Sequence, residues 1–196
     1  FEKYLLYGGL PFLINLRLDE TASEYLKNIY NTIVLRDVVS RHGIRNIYFL
    51  EQLVRFLADN IGSLFSAKSI SDFLKSQKVM IPHNQVQTYA GYLAEAFLIQ
   101  RVFRYDITGS RIFETGEKYY FEDLGIRNVV AGHKPGDKAK IIENIVYNEL
   151  LFSGYEVKTG WNANKEIDFV AIKDNETIYI QVALILDSEK TIEREF

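Results

Sequence analysis

Residues 167–183, IDFVAIKDNETIYIQVA, form two apolar runs around a short polar turn, yet they hold Asp168 and Gln181 inside those runs. Side chains in a strand alternate between faces, so Asp168 shares a face with Val170 and Ile172, and Gln181 points with Ala183. The four-residue turn KDNE folds the runs into a hairpin and makes Asp168 and Gln181 cross-strand neighbours. Polar groups so placed serve either a metal-dependent phosphodiesterase site that has lost parts or a sheet that tolerates polar positions. Working outward, a helix over 141–151, closed by Gly154, precedes a strand at YEVKTGW. On a helical wheel Ile142, Val146, Tyr147 and Leu150 define its buried side; Glu143 falls near the middle of that side and Glu149 at its edge. Glu143, Asp168 and Gln181 are thus aimed from three elements toward one place.

The chain of 196 residues is 47% hydrophobic and 25% charged, the composition of a globular protein able to bury a core. With no Cys it has no disulfide or thiolate metal site, and His42, His83 and His133 lack the spacing of a zinc site. No apolar run approaches the roughly 20 residues that cross a bilayer, so the expectation is a cytoplasmic protein without a membrane partner. A net charge of −3 supplies no global attraction to nucleic acid, which any such binding must gain from a local patch. The sequence opens at Phe1 without an initiating Met and closes in SEKTIEREF, where Ser188 is placed to cap a helix carrying Ile192 and Phe196. A fragment truncated at both ends is expected.

Residues 1–45 form a helical segment after the turn GGLP, with Tyr25, Ile29, Ile33, Val34 and Val38 at helical spacing. A second module is expected over 46–127: a helix from Ile47 to Ile61, a helix capped at Ser69, and a third helix, HNQVQTYAGYLAEAFLI, burying Val86, Tyr89, Ala90, Leu93 and Phe97. Two strands, QRVFRYD and KYYFEDLGI, then flank the turn ITGSR. Helix, helix, helix, strand, wing, strand is the order of a winged helix-turn-helix, whose third helix lies in the major groove. On that helix Asn84, Gln87, Thr88 and Gly91 face outward, and an Asn or Gln pairs bidentately with adenine. The helix holds no Lys or Arg, so phosphate contacts fall to Lys75, Lys78, Arg101, Arg104 and Arg111 around it. The same polar face equally suits simple solvation beside a protein partner. The loop NVVAGHKPGDKAK then separates this module from the αβββ segment over 138–196, and no single sheet is expected to run through both.

The last segment resembles the restriction-endonuclease-like nucleases, whose motif is a helix Glu, a strand Asp, and an acidic residue-x-Lys on the next strand. The resemblance implies Mg²⁺ bound by carboxylates for phosphodiester hydrolysis, with Glu143, Asp168 and Gln181 at the ligand positions and Glu143 and Asp168 as the metal candidates. Ala183 stands at the lysine position. A methyl group cannot donate a hydrogen bond or carry charge, and an amide oxygen is a poorer Mg²⁺ ligand than a carboxylate, so the site is expected to be degenerate and inactive. Lys165, two residues before Ile167, is a candidate to act in its place, against the plainer reading of a lysine in a polar turn as solvated.

Taken together, YLLYGGLP, YLKNIYNTIVLRDVV, KYYFEDLGIRN, ENIVYNELLFSGYEV and EIDFVA resemble the C-terminal region of a family of prokaryotic AAA+-like ATPases, which carries a winged-helix part and a nuclease-like part. That resemblance implies an incomplete, mixed α+β region with ATP and Mg²⁺ bound in an upstream module, since no G-x-x-x-x-G-K-[ST] occurs here and no cofactor is expected in this stretch. The implied function is a binding or output region recognising double-stranded DNA or a partner protein; the alternatives are a divergent Mg²⁺-dependent endonuclease and a protein-protein assembly module. Of the remaining signals, His42 reads as a solvated helix-end residue, Trp161 as core, and GGLP as a turn rather than a phosphate loop.

Overall fold

The computed structural model describes residues 1–109, 111–162 and 165–184, and at 111–115 and 135 the backbone alone. The expected helix at Ser188 and the side chain of Arg111 lie outside these described residues. The architecture is mixed α+β, with seven α-helices and a five-stranded mixed sheet among the described residues. The chain divides into two compact units, Phe1–Arg101 with Tyr119–His133, and Val102–Lys118 with the residues from Lys134 on.

The first unit is helical. After α1 (Glu2–Tyr7), helix α2 (Glu20–Thr32) starts where Asp19 accepts the Thr21 N–H, and it continues as a π-helical stretch over Ile33–Ser40. Ala22, Leu26, Val34 and Val38 are its buried residues, set at multiples of four. Helix α3 (Ile47–Asp59) is capped by Asn46 and buries Leu50, Leu53, Val54 and Leu57. Helix α4 (Ala67–Ser76) is capped by Ser66, not by the expected Ser69, which is instead the reciprocal partner three residues into the capping box. Helix α5 (His83–Glu95) buries Val86, Tyr89, Ala90 and Leu93. Phe97, expected in that stripe, is 72% exposed and has φ 54°, because the left-handed turn that ends the helix rotates it outward.

Helix α6 (Leu124–Ala131) replaces what the sequence suggested was the tail of a strand and the start of a loop. Its cap, Asp123, accepts from the Ile126 N–H at 3.0 Å with one carboxylate oxygen and from the Gly9 N–H at 2.8 Å with the other. The GGLP turn is therefore a cradle for an internal carboxylate. Burial pushes the Asp123 carboxyl above its ordinary range, opposed by backbone N–H groups of Gly9, Ile126, Gly125 and Leu10. Next to it, fully buried Arg127 donates to the carbonyls of Ala58 (2.8 Å) and Gly132 (3.3 Å) and to Asn128 Oδ1 (3.1 Å). Asn128 donates in turn to the Leu5 and Leu6 carbonyls at the end of α1. Arg127 and Asn128 thus tie α6 to the backbone of α3 and of α1.

The sheet runs β2-β1-β3-β4-β5, built from β1 (Ile99–Asp106), β2 (Arg111–Phe121), β3 (Glu156–Asn162), β4 (Lys165–Lys173) and β5 (Glu176–Ile180). Strand β1 is parallel to β3, pairing Arg104 with Thr159 and Asp106 with Trp161. Strands β3, β4 and β5 are successively antiparallel. One sheet therefore includes both the expected wing hairpin and the last segment, which corrects the expectation of two modules without a common sheet: β1 has an open edge beside β2, and β3 satisfies its backbone groups. The β4–β5 turn has two residues, not four, with Asp174 at φ 52° as a tight hairpin requires. Helix α7 (Lys138–Phe152) buries Ile141, Asn144 and Tyr147: Tyr147 lies on the buried side as expected, whereas Ile142, Val146 and Leu150 are only half-buried, the stripe being shifted by one residue. Asn144 at 0% exposure is the cause: a polar residue in the core displaces the apparent apolar face.

Gly125 marks the tightest packing in the first unit. A Cβ there would lie 2.1 Å from the Tyr7 carbonyl oxygen and 2.9 Å from Leu26 Cδ1. Gly125→Ala is expected to destabilise the protein by about 3 kcal/mol, whereas Gly136→Ala, with nothing within 4 Å of the new methyl, leaves the unfolding midpoint in place. Chemical denaturation of the two variants checks the contrast.

Candidate functional site

Lys118 lies on β2 and shares a strand face with Tyr120, by the alternation of side chains along the strand. Its side chain is 2% exposed, and its ammonium lies 2.9 Å from Glu143 Oε1, 2.8 Å from Glu166 Oε1 and 3.7 Å from Asp168 Oδ1. Helix α7 positions Glu143; β4 positions Glu166 and Asp168, two residues apart and hence on one face. Burial alone would lower the Lys118 pKa, but the charges and hydrogen bonds of Glu143 and Glu166 outweigh it and hold it above the ordinary lysine value. Asp168 is pushed upward by burial and by the negative charges of Glu143 and Glu166, against the Val182 N–H and the Lys118 charge.

Gln181 lies just past the end of β5, not within a strand as expected. The reason is a pair of reciprocal bonds that replaces the ladder: the Asp168 N–H donates to Gln181 Oε1 at 3.3 Å, and the Val182 N–H donates to Asp168 Oδ2 at 2.8 Å. The structure thus brings Glu143, Asp168 and Gln181 into one neighbourhood, Glu143 and Asp168 through Lys118 and Gln181 through the Asp168 backbone. Lys165 is exposed, and Ala183 is half-buried. Sequence reasoning missed Lys118 and Glu166. The signal for Glu166 was its strand parity with Asp168; for Lys118 it was a lysine at the head of the apolar run Tyr119–Phe121, legible only once β2 belongs to the same sheet.

A divalent cation does not fit this donor set as it stands. The Lys118 ammonium engages one oxygen of Glu143 and one of Glu166, and both oxygens of Asp168 face protein cations or N–H groups. Among the described residues no group of three or more His, Asp or Glu side chains is arranged to hold a metal ion.

On α5, Asn84, Gln87 and Thr88 are exposed, and Gly91 lies beside Arg101. Thr88 Oγ1 donates to the Asn84 carbonyl at 3.0 Å. Lys75 is exposed in the last turn of α4 and Lys78 on the turn that leads to α5, with φ 63°. Arg104 belongs to the other unit and stacks over Trp161, 4.3 Å from the ring centroid, so Trp161 is a partly exposed platform and not core. His42, expected to be solvated, stacks on Tyr92 with ring centroids 3.6 Å apart and lies 3.6 Å from a Glu95 carboxylate oxygen. The π-helical stretch before it packs against α5. No described helix is long and apolar enough to cross a membrane.

Comparison with known proteins finds similarity to an uncharacterized protein of Haemophilus influenzae, 38% identical over 184 residues, covering 93% of this chain and 46% of that protein. An uncharacterized protein of Methanocaldococcus jannaschii is 29% identical over 198 residues, covering 99% of this chain and 44% of its own length. The chain therefore spans less than half the length of these relatives. No solved structure matches it. Residues 1–137 match a family described as a domain of unknown function, DUF8612, and on that match over more than half its length the chain belongs to the DUF8612 family.

Proposed function

We propose that this chain is a non-catalytic recognition region of a larger AAA+-like ATPase, with a winged-helix-like part that contacts double-stranded DNA and a restriction-endonuclease-like part that has become scaffold. ATP and its Mg²⁺ bind elsewhere in such a protein, in keeping with relatives more than twice as long as this chain. The single observation that carries the loss of catalysis is the Lys118 ammonium among the carboxylates that the resemblance assigns to Mg²⁺. A nuclease needs those oxygens to bind metal and needs the scissile phosphate to reach it; here a buried ammonium stands in the way.

Support for a winged-helix-like arrangement comes from the order α3, α4, α5, β1, β2. It also comes from the segment after α3, where the Gly62 N–H donates to the Tyr119 carbonyl at 3.2 Å and Phe65 makes a single-residue bridge. Asn84, Gln87 and Thr88 form an uncharged hydrogen-bonding stripe on the solvent side of α5, with Lys75 and Lys78 at its approach. A stripe of this kind gives modest, salt-sensitive affinity, because few cations neutralise phosphate. A protein partner is the second reading. Exposed Tyr48 and Phe73 border a cleft of about 330 Å³ between α3 and α4 that also holds Gln52, Arg55, Asp59 and Asn60, a mixed aromatic and polar lining of the kind that suits a peptide surface.

Two measurements test the proposal. In fluorescence anisotropy with duplex DNA, binding should weaken with salt; Lys75→Ala with Lys78→Ala should lower affinity for all sequences and reduce the log–log salt slope by roughly 2. Asn84→Ala with Gln87→Ala should relax sequence preference instead. Absence of salt-sensitive binding at low ionic strength sinks the DNA reading in favour of the protein partner. In a plasmid-nicking assay with Mg²⁺ or Mn²⁺, the wild type and Asp168→Ala are both expected to be inactive, and metal-dependent nicking lost in the variant would restore the endonuclease reading.

A further inference from the structure

We infer that the apolar surface around α1 and the GGLP turn seats the upstream module of the longer protein, which packs against Tyr4, Phe12 and Ile14. The inference rests on the reading of this chain as part of a larger ATPase, and it adds the surface through which the two parts are joined.

Large apolar side chains gather here on the outside of the first unit. Ile14 is 88% exposed, Phe12 52% and Tyr4 38%, while Leu5 and Leu13, their neighbours in the chain, are buried and anchor the same two elements. Tyr4, Leu10, Pro11 and Ile14 border a cleft of about 220 Å³ with Lys3 among its lining residues. A second cleft of about 560 Å³ also borders α1, where Leu6 and Val129 meet Glu24, Lys27 and His133. Single exposed apolar residues are ordinary on a protein surface, but a group of them beside two clefts marks a contact surface. An apolar centre with polar and charged groups around it is the anatomy of a protein interface.

The surface is held in shape from inside. A Cβ on Gly8, which has φ 73°, would lie 2.3 Å from both carboxylate oxygens of Asp123, and the Gly9 N–H donates to that same carboxylate at 2.8 Å. The turn that presents Phe12 and Ile14 is therefore fixed before anything docks, and a preorganised surface loses little conformational freedom on contact.

Two observations name the occupant. The relatives match 93% and 99% of this chain in 184 and 198 aligned residues, yet it covers only 46% and 44% of them, so their surplus is not scattered through this region as insertions. It is a separate stretch of chain, long enough to form a module of its own. Residues ahead of Phe1 run directly into α1, where the Phe1 carbonyl accepts the Leu5 N–H at 3.1 Å. A module tethered at that point meets the surface at high effective concentration, and a modest apolar contact then suffices to hold it. A free partner or a second copy lacks that advantage.

The test is hydroxyl-radical footprinting with mass spectrometry on the natural full-length protein and on this chain alone. Oxidation of Tyr4, Phe12 and Ile14 should fall by roughly threefold or more in the full-length protein, as for side chains at the core of an interface. Phe97, exposed on the same unit, serves as the reference and should keep its rate. Ile14→Asp should leave the unfolding midpoint of the isolated chain in place, because the side chain stands in water there. In the full-length protein it should restore the oxidation of Tyr4 and Phe12, since a carboxylate in the contact must be desolvated, whereas Ile14→Leu should not.

Equal oxidation in the two proteins, or protection that survives Ile14→Asp, overturns the inference. So does a dimer of the isolated chain in sedimentation velocity that is lost in Ile14→Asp, which would give the surface to a second copy. ATP hydrolysis by the full-length protein is measured in parallel. Hydrolysis without protection overturns the docking surface alone; protection without hydrolysis upholds the surface and overturns the ATPase reading. A natural protein with no module ahead of Phe1 overturns both.

Discussion

An ammonium buried to 2% exposure cannot stand alone, and the second unit is arranged around that constraint. Taking such an ion out of water costs several kcal/mol even after relaxation, and only closely placed, hydrogen-bonded counter-charges offset it. Lys118 therefore commits β2 to lie where α7 and β4 can both reach it, 25 residues further on in the case of Glu143. Breaking the cluster from either side leaves uncompensated charge in the interior, a more severe fault than the loss of one apolar contact. The sheet order and the phase of α7 follow from this requirement as much as from apolar burial.

The same short stretch organises the other unit by different means. From Tyr119 to Asn128 nearly every residue is buried, and the polar ones, Asp123, Arg127 and Asn128, reach backbone groups of the first ten residues, of α3 and of the end of α6. Side chains here act as connectors between main-chain atoms of separate elements. Both the Lys118 cluster and the Asp123 cradle enclose a charge of the chain's own where a nuclease-like or phosphate-binding protein would hold a foreign one. That shared feature is what supports the proposal of a recognition region.

What was legible in the sequence was local. Apolar periodicity placed α3 and α5 with their buried residues, and strand parity aimed Asp168 and Gln181 into one neighbourhood. Local detail accounts for the smaller misses, the Ser66 cap of α4, the outward turn at Phe97 and the two-residue β4–β5 turn, and interactions between residues far apart in the chain account for α6 and Lys118. Helix α6 looked like a strand tail because its start depends on Asp123, whose role as cap is stabilised by Gly9, 114 residues away. The α7 stripe was misphased because Asn144 is a polar core residue. Lys118 was passed over because only the parallel pairing of β1 with β3 puts β2 in the sheet that carries Asp168. No window of a dozen residues contains that information.

The parallel pairing of β1 with β3 also has a temporal side. Thr108 on the turn after β1 meets Asn162 at the end of β3 across 54 residues of chain, and everything between must be made and placed first. Until then one edge of β1 presents unpaired backbone groups, in a stretch that includes apolar Val102 and Phe103. A growing or partly unfolded chain thus passes through a stage with an adhesive strand edge, and non-local pairing of this kind slows its closure. The β1–β2 hairpin, made first, holds that edge open until β3 arrives to cover it.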